Sequence, residues 1–165
     1  QAGLVVGAAL AMPNTGIVGI DIDAEPGRVR TDVVALAREA SNLLDVPFDE
    51  ATVEVVAGHA GPAYGVPHEA TIEAIRLAGR LEALPLDPVY SGKGLAGLIA
   101  LIRQGRWRKD EDVVFLHTGG APAPNGAPTS ITAKSVRTGL RLPSSALVAW
   151  RPENVVCPLY VAATG

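Results

Sequence analysis

Apolar positions along the chain fall into two periods. Residues 2–12 are uncharged and apolar throughout, which predicts a short buried helix ending before Pro13-Asn14-Thr15-Gly16. Gly16 to Asp23 is a compact run rich in Ile and Val, as expected of a strand covered on both faces. Val29 to Leu44 repeats with helical spacing, placing Val29, Val33, Leu36, Ala37, Ala40 and Leu44 on one inward stripe. Thr52 to Ala57 is strand-like, and residues 58–67 form a Gly- and Pro-rich loop. A second helical stripe, Ile72, Ile75, Ala78 and Leu81, spans His68 to Leu81. Asp87-Pro88 interrupts it, and a third helix over Gly92 to Gln104 presents Leu95, Leu98, Ile99 and Ile102. Val113 to His117 is another buried strand, followed by Thr118-Gly119-Gly120.

Strands alternating with helices of these lengths predict an α/β fold, a parallel sheet flanked by helices. Ligands of such sheets bind beyond the carboxyl ends of the strands, which singles out the loops at 58–67, 87–92 and 117–123. The pattern changes after Ala123. Residues 1–120 hold 10 basic and 16 acidic groups, whereas residues 121–165 hold four basic and one acidic. The helical stripe is lost there, and only Ala146 to Trp150 and Pro158 to Ala163 look strand-like. The expected organisation is an α/β domain over residues 1–123 and a divergent tail over 124–165.

Composition narrows the function. With 165 residues, 48% hydrophobic and 19% charged, the chain is too apolar for disorder and suits one main domain. A net charge of −3 gives no electrostatic reason to expect nucleic acid or an anionic membrane as partner. One cysteine, Cys157, forms no internal disulfide, and His59, His68 and Cys157 lack metal-ligand spacing, so a reducing, cytoplasmic setting is the default. The uncharged residues 1–20 are broken at Pro13, too early for the ~20 apolar residues of a membrane span. The first residue is Gln1 rather than Met, which suggests a chain starting inside a longer protein.

Four places could carry chemistry. In Asp87-Pro88-Val89-Tyr90-Ser91-Gly92-Lys93, Ser91 stands where a helix begins: either a cap, or a hydroxyl presented with Tyr90 to a ligand. Lys93 reads as a solvated charge or a phosphate contact. Tyr64 lies in the Gly/Pro loop, 26 residues before Tyr90; such a phenol either packs or donates a hydrogen bond to a bound group. Thr118, Gly119 and Gly120 end a strand, where glycines admit close backbone approach and amides can hold an anion, or simply turn the chain. His117 fits a hydrogen-bonded core histidine better than a base. Gln1-Ala2-Gly3 opens a helix, and helix starts attract anions. The acids Asp21, Asp23 and Glu25 follow a strand, but no G-x-G-x-x-G precedes them, so a nucleotide reading is poor.

Taken in order, QAGLVVG, HAGPAYGVPHEATIEAIRLAGRLEALPLDPVYSGKGLAGLI and VVFLHTGGAPA resemble the C-terminal part of the pyridoxal-phosphate enzymes related to D-cysteine desulfhydrase and 1-aminocyclopropane-1-carboxylate deaminase. The resemblance runs from residue 1 to about 123. It implies an incomplete larger domain of a fold-type II, tryptophan synthase beta-like enzyme using pyridoxal 5'-phosphate. It further implies that Tyr64 and Tyr90 are active-site phenols and that Ser91 faces the pyridine nitrogen. Thr118, Gly119, Gly120 and the Gln1-Ala2-Gly3 end of a phosphate loop would complete the cofactor contacts. A small amino-acid substrate, no metal, and a homo-oligomer at full length follow from the same resemblance.

The deaminases look to have Glu where this chain has Ser91 and Leu where it has Thr118. A carboxylate keeps the pyridine protonated and the ring a stronger electron sink; a hydroxyl suffices when a good leaving group departs. This favours β-elimination from D-cysteine to pyruvate, sulfide and ammonia, with L-cysteate sulfo-lyase and the deaminase as alternatives. None of Lys93, Lys109 and Lys134 matches the family's aldimine lysine, so a catalytically silent α/β fragment is the reading from another class. The sequence after Ala123 departs from the family, which a frameshift would explain. Val161 to Gly165 faintly echoes the strand before a phosphate loop, which would suit a circular order.

Overall fold

The computed structural model describes residues 1–23, 25–63, 65–118, 132–136 and 160–164, the last two segments through their backbone. The first helix, α1 (Ala2–Ala11), buries Val5, Val6 and Ala8 and stops at Met12, whose N–H bonds to the Ala8 carbonyl at 2.7 Å. Pro13 cannot continue the ladder. The chain turns into β1 (Thr15–Ile20), in which Ile17, Val18 and Ile20 are all buried. This strand ends three residues before the predicted Asp23. The Asp21 carboxylate accepts the Asp23 N–H at 2.9 Å, a side-chain-closed turn that leads the backbone out of the sheet.

Pro26 occupies the first turn of α2 (Pro26–Leu44), where its missing N–H costs nothing. The predicted inward stripe of α2 is rotated. Val33, Val34, Ala37 and Ser41 are buried, whereas Leu36 and Leu44 are each 57% exposed. Ser41 can sit inside because its hydroxyl donates to the Val46 carbonyl, and Leu44 lies in the last turn, next to the left-handed cap residue Asp45. A single 3-10 turn, Glu50–Thr52, replaces the predicted start of the next strand, with the Asp49 side chain accepting the Ala51 N–H at 2.9 Å. Strand β2 (Glu54–Val56) follows.

Helix α3 (Glu69–Glu82) also turns a different face inward than predicted. Thr71, Ala74 and Ala78 are buried, while Leu81 is exposed. Thr71 is satisfied by His68 Nδ1 at 2.5 Å from its hydroxyl, and small side chains allow α4 (Ser91–Arg103) to lie close. A Cβ on Gly92 would fall 2.9 Å from Ile75 Cγ1. The predicted helix over 92–104 is therefore found nearly as drawn, with Leu98 and Leu101 in the core and Ile102 exposed. Strand β3 is Asp112–His117.

Two tail strands complete the sheet, β4 (Thr132–Val136) and β5 (Tyr160–Thr164), in the order β2-β1-β5-β3-β4. Strand β5 overlaps the predicted 158–163 run; β4 was not anticipated, and Ala146 to Trp150 lies outside the described residues. β1 and β2 pair in parallel. β5 runs antiparallel to both β1 and β3, so β2, β1 and β3 share one direction and only the tail strands oppose it. The parallel set predicted from residues 1–120 is present, with an antiparallel strand lodged inside it. Thr164 pairs with Thr15, which sends the end of β5 to the edge opposite the start of α1. A strand feeding α1 would have to run the other way, so the likeness of residues 161–165 to a pre-phosphate-loop strand is one of composition, and the circular order fails.

Alternate residues of β1 face opposite layers. Ile17 joins Val5, Ala8, Val33, Val34 and Val53 beneath α1 and α2. Val18 and Ile20 join Ala78, Leu98, Leu101 and Phe115 beneath α3 and α4. Helices therefore cover both faces, and the amino ends of α1 and α4 come to the carboxyl edge of the parallel strands.

Candidate active site

The carboxyl edge gathers four pieces of chain. The first is the start of α1. Its opening intrahelical bond runs from Val5 N–H to the Gln1 carbonyl at 2.9 Å, so the amides of Ala2, Gly3 and Leu4 precede the ladder. Gln1 turns its side chain back onto the sheet, where Nε2 donates to the Glu54 carbonyl at 2.6 Å. Gly19 makes room for it, since a Cβ there would fall 2.3 Å from Gln1 Oε1. Among the described residues nothing lies within 4 Å of the position a Gly3 Cβ would take.

The second piece is the turn into α4. Asp87 Oδ1 accepts the N–H groups of Val89 at 2.8 Å and Tyr90 at 2.6 Å, and Oδ2 accepts that of Ser91 at 2.9 Å. Ser91 Oγ donates to the same carboxylate and accepts the Asp87 N–H at 2.9 Å. Ser91 is fully buried. Its hydroxyl is thus engaged on both sides by Asp87, whose carboxylate closes the turn that leads into the helix. Tyr90 stands half-buried at the helix boundary. Asp87 was read from sequence only as a helix breaker beside Pro88; an Asp four positions before a helix-opening Ser is the signal that could have identified the turn.

Lys93 corrects a second expectation. It is neither solvated nor presented outward: it is fully buried, and Nζ donates to the carbonyls of Ala60 and, at 3.3 Å, Ala63. These belong to the third piece, the loop after β2. Gly58, Gly61 and Gly65 there adopt positive φ of 91°, 78° and 75°, a region glycine enters without steric cost. The Val66 N–H closes a turn on the Ala63 carbonyl at 3.1 Å, bracketing position 64. Tyr64 itself lies outside the described residues.

Beside this loop is a cavity of about 430 Å³, bounded by Asp21 and Pro26 on one side and by Gly58, Ala60, Gly61, Pro62 and His68 on the other. Asp21 is 2% exposed; Oδ1 holds the Asp23 N–H, and Oδ2 has no hydrogen-bond partner among the described residues. Burial, reinforced by the nearby His68, holds the His59 imidazole below the ordinary histidine range. The fourth piece is the end of β3. His117 is buried and stacks on Phe115, as a core histidine should, and Thr118 follows half-buried. Gly119 and Gly120 lie outside the described residues. Among the described residues no cluster could hold a metal ion, and no helix is long and apolar enough to cross a membrane.

Of the predicted site residues, Gln1, Ala2, Gly3, Tyr90, Ser91 and Thr118 all belong to the carboxyl edge of the sheet. Free helix-start amides suit a phosphate. A buried hydroxyl at a helix start suits the ring nitrogen of a heteroaromatic ligand. Pyridoxal phosphate carries both groups, and the residues present fit it.

Comparison with known proteins agrees. Residues 1–119 match the family described as pyridoxal-phosphate dependent enzyme. The chain is 42% identical over 125 residues to the 1-aminocyclopropane-1-carboxylate deaminase of Burkholderia multivorans, covering 74% of this chain and 37% of that protein. It is 42% identical over 128 residues to the enzyme of the same name from Methylobacterium sp., covering 76% and 38%. A probable 1-aminocyclopropane-1-carboxylate deaminase from Schizosaccharomyces pombe is 40% identical over 124 residues, covering 74% and 37%. The crystal structure of an ACC deaminase homologue superposes with a TM-score of 0.53 at 31% identity, over 63% of this chain and 31% of that one. The chain thus spans under two fifths of the length of the curated relatives it matches. Helix-start amides, the Asp87-locked serine and 119 matched residues lead to one conclusion: this chain belongs to the pyridoxal-phosphate dependent enzyme family.

Proposed function

We propose that the chain forms one wall of a pyridoxal-phosphate-dependent lyase that removes sulfur from the β-carbon of a small amino acid, D-cysteine foremost. The observation that carries this reading is the Asp87–Ser91 pair. Bound pyridoxal phosphate supplies an electron sink conjugated to the substrate α-carbon. The amides of Ala2, Gly3 and Leu4 would hold its phosphate, and Ser91 would face its ring nitrogen. Ser91 Oγ, its proton committed to Asp87, offers that nitrogen an acceptor weaker than a carboxylate. A weaker sink suffices where thiol leaves readily and falls short where a cyclopropane must open. Tyr90, at the start of the same turn, would hold or move a proton at the departing group, with Tyr64 as its proposed partner. Gly119 and Gly120 would complete the cofactor contacts after Thr118.

The balanced outcome is D-cysteine and water giving pyruvate, sulfide and ammonia. The gene product, supplied with pyridoxal phosphate, should release pyruvate from D-cysteine faster than ammonia from 1-aminocyclopropane-1-carboxylate. The reverse preference would establish the deaminase reading, which the names of the relatives favour. L-cysteate, with sulfite as leaving group, is the third substrate to compare.

A second reading applies to the 165-residue chain by itself: cofactor binding without turnover. Lys93 favours it, because its ammonium is committed to two backbone carbonyls. Borohydride reduction with pyridoxal phosphate, followed by peptide mass spectrometry, decides. Specific labelling of one lysine would overturn the silent reading. Exposed Leu10, Met12, Leu36, Leu43 and Leu44 on and beside α1 and α2 support association into an oligomer, the proposed state of the working enzyme.

A further inference from the structure

Lys93 is a long cationic side chain with no exposed surface, in the first turn of a helix whose dipole repels it. A buried ammonium persists only where acceptors replace its water. Here the acceptors are the Ala60 and Ala63 carbonyls, 33 and 30 residues earlier in the chain. Between them Gly61 bends at φ 78°, and a Cβ on it would fall 2.7 Å from the Val66 carbonyl oxygen and 3.8 Å from Lys93 Nζ. The loop is folded around the ammonium. The same helical turn holds Tyr90 and Ser91 through Asp87.

We propose that Lys93 is a positioning residue: its ammonium pins the 60–63 backbone to the start of α4 and fixes the spacing between the Tyr64-bearing loop and the Tyr90–Ser91 turn. The consequence for catalysis rests on the lyase reading; the pin itself does not. Lys93→Met keeps the length and apolar stem but removes the donor. Hydrogen exchange followed by mass spectrometry on the 165-residue chain should show amides of residues 58–67 exchanging at least tenfold faster, with those of β1 and of residues 95–103 changed less than twofold. Uniform acceleration across the chain, or an unchanged loop, overturns the proposal. Should Lys93→Met fail to fold, Lys93→Gln keeps a shorter, neutral donor in the first turn of α4 and should give the same local pattern at smaller amplitude; an unchanged loop in that variant overturns it equally. Titration with pyridoxal phosphate separates the two claims. Where the wild-type chain binds, Lys93→Met should weaken binding about tenfold. Where it does not bind, the exchange pattern alone decides the pin.

Discussion

Asp87 and Ser91 hold each other reciprocally: the backbone N–H of Asp87 donates to Ser91 Oγ, and Ser91 Oγ–H donates back to the Asp87 carboxylate. The pair ties the break after α3 to the start of α4 and fixes which atoms the turn can offer a ligand. Asp87→Ala strips acceptors from three backbone N–H groups and one hydroxyl. The expected loss is about 2 kcal/mol, at the upper end for a helix cap, read by urea denaturation. Destabilisation below about 0.5 kcal/mol would show that the network does not hold the turn.

Ser91→Glu brings a second carboxylate against Asp87 at a fully buried position. The variant should be less stable than Ser91→Ala, because a buried like-charge pair costs more than a lost hydroxyl. Pairing Ser91→Glu with Asp87→Asn should recover part of the loss. Thermal melts of the three variants test this, and a Ser91→Glu variant as stable as wild type would contradict the reading.

Two glycines, Gly97 of α4 and Gly19 of β1, should respond differently to alanine. At Gly97 the new methyl would lie 2.7 Å from Ile20 Cγ2, in a core where Ile20 is 1% exposed, and the expected cost is about 1–3 kcal/mol. At Gly19 the clash is with the Gln1 side chain, which can swing away. Gly19→Ala should cost under about 1 kcal/mol while releasing Gln1 from the Glu54 carbonyl. Denaturation midpoints would separate the two, and equal losses would contradict the assignment.

His59 gives the fold a pH dependence of definite sign. Its folded-state pKa is depressed by burial and by His68, so the unfolded chain takes up the proton first. Its contribution is complete above the unfolded value near 6.5 and is lost as pH falls through the lower folded value. His59→Gln should flatten the decline in melting temperature below about pH 6.5. An unchanged slope would mean that His59 does not titrate with folding.

The elements were legible where period and punctuation agreed. Pro13, the glycine-rich loop and Asp87-Pro88 mark boundaries that the structure keeps to within a few residues. The faces of α2 and α3 were less legible, because Ser41 and Thr71 look polar in sequence yet are buried once Val46 and His68 satisfy their hydroxyls. Leu81 and Leu44 look inward yet lie in last turns beyond the packed surface. Tyr90, Ser91, Thr118 and the α1 start come to one edge because loops at the carboxyl ends of parallel strands share it. Lys93 was misread because a single lysine in a glycine-rich turn gives no sign of carbonyls thirty residues away.

The account depends most on pyridoxal phosphate meeting the start of α1 and the start of α4 together. Amide NMR of the 165-residue chain during titration with pyridoxal phosphate tests that directly. The predicted result is saturable, concerted shifts at Ala2, Gly3, Leu4, Tyr90, Ser91 and Thr118. Shifts confined to surface lysines, or scattered with no common saturation, would contradict it.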